Sequence, residues 1–278
     1  MKRIKIKNAK LVFILLLITL FVVFLLYYNF IFLEVVARNN FVDEMVEIAD
    51  ENKTPIFNIQ KIISYSSANV IDNSEDHSLK NISISQYSDI SIYIDNTNTI
   101  SELTNENTIK ELYIDNIEIA SNSKSGSTIL NYKSPLNFGK YKKLELPENN
   151  RIDFNIINTN SENESADYSK PVFYTDCSNP VTLGFINRDI LTNYSVSQDS
   201  STISFNGKAL QEANISLEDL NYTLNFRINI INNLNQKFTY NMKLDSDLND
   251  DNGGIYNGYV YKTKTTSGDN YNFFKSIN

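Results

Sequence analysis

The chain has 278 residues, 25 basic and 33 acidic side chains, a formal net charge of −8, one cysteine, one histidine and no tryptophan. A single cysteine excludes an internal disulfide framework and any multi-cysteine zinc, iron–sulfur or CxxC site, and a single histidine excludes a two-histidine motif such as HExxH. The acidic balance argues against nucleic acid as a partner, and the length suffices to bury a core without staples.

Residues 11–33 read LVFILLLITLFVVFLLYYNFIFL, with Thr19 and Asn29 as the clearly polar members. As a helix this run spans roughly 34 Å, enough to cross a hydrocarbon core. Lys2, Arg3, Lys5, Lys7 and Lys10 precede it without an acid; Glu34 and a lone Arg38 follow. The positive-inside rule therefore predicts a cytoplasmic tail over 1–10, a transmembrane helix over 11–33 and an extracytoplasmic remainder, with Tyr27 and Tyr28 in the outer aromatic belt. A cleaved signal peptide is the competing reading, since Val35-Val36-Ala37 offers small residues. The apolar run exceeds a signal core and Glu34 interrupts the approach, so an uncleaved anchor to the cell membrane is expected.

Residues 34–54 keep helical spacing: Phe41, Met45 and Ile48 share a stripe, with Asp43, Glu44, Glu47, Asp50 and Glu51 facing away. A juxtamembrane helical stalk is predicted, ending at Thr54-Pro55. From Ile56 the period becomes 2. Ile90, Ile92 and Ile94 alternate with polar residues, and Leu112 and Ile114 step out of phase to Ile117 and Ile119 across Asp115-Asn116, a bulge pattern. Tyr222 to Ile230 and Phe238 to Leu244 alternate around Asn232-Asn233-Leu234-Asn235-Gln236, a hairpin with one buried face. Asn206-Gly207 after Ile203 and Phe205 predicts a second tight hairpin turn. The fold class expected is mainly β: antiparallel Ig-like sandwiches with no convincing helix between the strands. The polar stretch 161–170 suggests two modules, 55–168 and 169–278; one continuous sandwich is the alternative. The 41 asparagines sit at turns and on wet strand faces between isoleucines, a folded-sheet pattern.

Each candidate site has a plain structural alternative. His77 lies in an acidic loop without a nucleophile elbow and reads as a solvated loop residue. Cys177 would need His77 within hydrogen-bond reach to act as a nucleophile, and reads as a small hydrophobe at a strand end. Asp247, Asn249 and Asp251 occupy the 1-3-5 positions of a calcium loop, but Asn252 and Gly258 stand where glycine and glutamate are required. Tyr259 and Tyr261, on one face with Ile255 and joined by Tyr271, Phe273 and Phe274, are the candidate ligand-binding platform; half-buried strand tyrosines are the alternative.

The segments YSSANVIDNS, ISQYSDISIYIDN, LNYKSPLNFGKY, RIDFNIINTN, FYTDCSNPVTLGFINRDI and GGIYNGYVYK give the chain a resemblance over nearly its full length. It is similar to uncharacterised single-pass membrane-anchored proteins of low-GC Gram-positive bacteria with a β-rich extracytoplasmic region. The resemblance implies a topology and no activity, so no functional residue is carried over. No catalytic residue or cofactor is expected. The bilayer is the first partner, through residues 11–33, and an envelope protein the second. The expected role is a cell-envelope scaffold or interaction component, with a receptor for a small ligand or glycan as the alternative and an enzyme third. The net charge conceals a division: residues 1–38 carry six basic groups and one acidic, whereas 39–278 carry 19 and 32, or −13.

Overall fold

The computed structural model describes residues 7–51, 55–96, 103–123, 125–133, 141–143, 150–159, 167, 170–196, 206–248, 254–266 and 271–276, with backbone alone at 7–9, 47–51, 141–143 and 206. The chain forms two compact units, Met1–Lys53 and Thr54–Asn278.

The first unit is helical throughout its described residues: α1 (Lys7–Tyr27), a π-helical turn (Tyr28–Phe32) and α2 (Leu33–Glu51). The two polar side chains within its apolar run bond their own helix, the arrangement that apolar surroundings would require. Thr19 Oγ1 donates to the Leu15 carbonyl at 2.9 Å and Asn29 Nδ2 to the Leu25 carbonyl at 2.8 Å. At the π turn the Leu33 N–H reaches the Tyr28 carbonyl. Phe24, Tyr28 and Phe32 stack in a ladder beside it, with ring centres 6.2 and 5.4 Å apart. The helix is long and apolar enough to cross a membrane, a test that a signal sequence near the N-terminus also passes.

The second unit is a β-sandwich. Its described strands are β1 (Asn58–Asp72), β2 (Ile82–Asp95), β3 (Ile109–Ser121), β4 (Ser127–Lys133), β5 (Tyr141–Lys143), β6 (Ile152–Ile157), β7 (Val172–Tyr174), β8 (Val181–Tyr194), β9 (Tyr222–Asn232), β10 (Lys237–Asp245), β11 (Tyr259–Thr265) and β12 (Phe274–Ser276). They form two six-stranded sheets, ordered β11-β1-β2-β8-β4-β5 and β12-β10-β9-β3-β6-β7. All described pairs are antiparallel except β6 with β7, which is parallel. Isoleucines and aromatics at alternate positions of both sheets meet in one core, with Ile90, Ile92, Leu183 and Phe185 facing Leu112, Leu224, Phe226 and Ile228.

The predicted hairpin is present as β9–β10, with Tyr222, Leu224, Phe226, Ile228 and Ile230 buried. The predicted bulge is present where β3 shifts register against β9 between Asp115 and Glu118, with Asn116 at φ 51°. Three expectations need correction. The boundary at 168/169 does not separate two modules, because each sheet takes strands from both sides of it. Twelve described strands in this order exceed the seven to nine of immunoglobulin domains, so the Ig-like detail is not met. Asn206-Gly207 opens not a hairpin but a short helix, α3 (Asn206–Glu212), followed by α4 (Leu217–Leu220).

Those helices exist because the sheets differ in length. β1 and β2 run 15 and 14 residues, whereas β9 runs 11. Ala68, Ile82, Ile84 and Ile190 on the longer sheet are covered by Ala209, Leu210 and Leu220, with Leu248 and Ile255, in a second, smaller core. Gly207 is set by close approach rather than by its dihedral: a Cβ there would lie 2.0 Å from the Ile255 carbonyl oxygen. Asn and Asp supply seven of the ten described non-glycine residues at positive φ, as their short polar side chains permit, the others being His77, Leu79 and Cys177.

Candidate functional site

Two surfaces formed by described residues are candidates for contact with other molecules. The first is the outer face of β1 and β11. Antiparallel register pairs Tyr65 with Tyr261 and Ser67 with Tyr259. Tyr259 and Tyr261 are each 57% exposed and Tyr65 39%, so all three rings present surface to solvent. The Tyr65 and Tyr259 rings stack at 5.5 Å and 21°, and Thr263 Oγ1 bonds the Tyr261 hydroxyl at 3.1 Å. Tyr259 and Tyr261 share one strand face, as their spacing predicts, and Tyr65, almost 200 residues away in the chain, joins them without a sequence signal. The other expected members disperse. Ile255 sits fully buried in a 3-10 turn, Phe273 is buried in the main core, and Tyr271 stacks on Tyr240 at 6.2 Å. Phe274 is exposed on β12 of the other sheet.

The second surface is a cleft of about 510 Å³ at the rim between β11 and β10. β12 pairs only with Lys237–Thr239 of β10, so the rest of that strand leaves the rim open. Ile62, Ile90 and Met242 line the cleft, and Ser66 and Tyr222 add hydroxyls. Ser66 and Ser88 hydroxyls are 2.6 Å apart and both hydrogen-bond the Tyr222 hydroxyl. Burial still pushes the Tyr222 phenol above its ordinary value. At the mouth Lys262 donates to the Asp247 carbonyl and lies 3.3 Å from its carboxylate, and Lys243 lies 3.5 Å from Asp245. The Lys264 ammonium is 5.1 Å from the Tyr271 ring centre.

The remaining candidates find structural roles. Asp72 organises the His77 loop by accepting from the Ser74 hydroxyl and the Ser74 and Leu79 N–H groups, and the Ser74 contact foremost holds its carboxyl below the usual range. His77 itself is exposed at φ 53°. Cys177 packs against the main core, and burial, followed by the Asp176 and Asp95 charges, pushes its thiol well above the ordinary value. His77 lies at the turn end of the β1–β2 hairpin, whereas Cys177 feels Asp95 at the far end of β2. More than ten strand residues intervene, on the order of 35 Å, so the two form no dyad. Of the calcium candidates, Asp247 is engaged by Lys262, and Asn249 and Asp251 lie outside the described residues. No group of three or more potential metal ligands occurs among the described residues.

Comparison of the chain with protein-family models, curated proteins and solved structures finds no match.

Proposed function

We propose that this is a single-pass membrane protein that displays its β-sandwich outside the cytoplasm and acts as a cell-envelope interaction component, meeting a protein partner through Tyr65, Tyr259 and Tyr261. The observation that carries this reading is the cluster of three exposed tyrosines on two neighbouring strands. Such rings offer large amphipathic contact area at low entropic cost, and interface cores are enriched in them. The basic leader and apolar helix support the anchor and its orientation.

A photocrosslinking residue in place of Tyr261, in the full chain in its native membrane, tests the reading. The expected result is an adduct of one defined mass that is absent with the probe at Glu118, which is exposed on the other sheet. Changing Tyr65 and Tyr259 together to serine should abolish it. Equal labelling from both positions, or none from 261, would overturn the proposal. Loss of the adduct to soluble wall glycan in place of a protein would favour the glycan-receptor alternative.

A further inference from the structure

β11 buries Val260 in the second core but carries lysines at the next two positions on that face. Tyr259 and Tyr261 face outward, whereas Lys262 and Lys264 face the cleft. Inward charges protect an edge strand from pairing with another chain. That accounts for the lysines but not for the space beside them. The cleft extends past β11 and β1 to Ile90 on β2, two strand spacings or about 10 Å from the rim. Its volume falls within the range of small-molecule sites.

The charges at the mouth are unequal. Lys243 and Lys262 have Asp245 and Asp247 beside them, but Lys264 has no carboxylate partner among the described residues. A surplus cation next to apolar walls, on a domain that is otherwise strongly acidic, selects an anion that brings its own apolar tail. We propose that this cleft binds a single-chain anionic amphiphile, an alkyl or acyl chain ending in a carboxylate or phosphate. The chain lies against Ile62, Ile90 and Met242, and the head meets Lys264 and Lys262. This site is separate from the tyrosine face and does not depend on it.

The test uses the full chain in nanodiscs of zwitterionic phosphatidylcholine and a dodecanoic acid carrying a diazirine at its chain end. Adducts are expected in the peptides of β1, β2 and β10. Dodecanoate and dodecyl phosphate should compete, the stronger of them naming the head group, while dodecanol should not. Lys262→Gln with Lys264→Gln should reduce labelling about tenfold, and arginine at both positions should restore it. A Tyr240→Trp variant gives a second readout, because the chain has no other tryptophan: its emission should shift on titration with dodecanoate and not with inorganic phosphate. Adducts confined to residues 11–33, labelling unchanged in the glutamine variant, or equal competition by dodecanol would each overturn the proposal.

Discussion

Asp115 sits on β3 at the bulge and accepts both arms of Arg227 from β9, at 2.8 Å each, and Asn229 Nδ2 at 2.9 Å. The Arg227 hydrogen bond is the foremost reason its carboxyl is held below the usual range. Because the folded pKa lies below the unfolded value of about 3.9, this pair stabilises fully above roughly pH 5, and the contribution is lost as the pH falls through the folded value. Asp115→Ala should cost about 2 kcal/mol at neutral pH, since it leaves a partly buried guanidinium without its acceptor and removes the shorter of two hydrogen bonds from the buried Asn229 amide. Asp115→Asn should flatten the acid limb of a plot of urea midpoint against pH. Neither partner was evident from the sequence, where Asp115-Asn116 appeared only as an out-of-phase step between isoleucines. The bulge was legible because burial enforces alternation; the residue that bonds across it was not, because cross-strand neighbours are set by register.

At the scale of elements, the contrast between β9–β10 and α3 is instructive. The hairpin was legible because its alternation and turn residues are local. Asn206-Gly207 has the dipeptide of a tight hairpin turn, yet tertiary context made it the start of a helix, and the glycine is required by the Ile255 backbone that crosses it. Gly207→Ala should therefore destabilise by about 2–3 kcal/mol despite alanine's better helix propensity, because backbone rather than a flexible side chain must move. The urea midpoint measures this; an unchanged or raised midpoint would show that the contact yields freely. β11 supplies the complementary case. Its Tyr-Val-Tyr-Lys-Thr-Lys-Thr alternation was visible, but which side faced the other sheet depended on its pairing with β1.

At the scale of the whole molecule, the sheets join distant segments: β1 pairs with β11, β2 with β8 and β3 with β9. Fragments 55–168 and 169–278 should therefore each lack a cooperative unfolding transition and recover one on mixing, as followed by far-UV circular dichroism. A cooperative transition in either fragment alone would restore the two-module reading. The proposed topology has its own check. In a Cys177→Ser background, Glu75→Cys places a thiol in the exposed β1–β2 turn. A membrane-impermeant maleimide should label it in intact cells, and labelling only after lysis would reverse the orientation.

The sequence alone determined the apolar helix and its basic flank, the change from helical to strand period, the mainly β class, the β9–β10 hairpin and the shared strand face of Tyr259 and Tyr261. These follow from hydrophobicity and spacing over a few neighbouring residues. Tertiary structure alone decided that one sandwich replaces two modules, that Tyr65 completes the aromatic cluster, that α3 and α4 cover the overhang of the longer sheet and that a cleft opens beside Lys262 and Lys264. Each depends on which distant strands pair and in what register, and that choice is made by burying both sheets at once rather than by any local pattern.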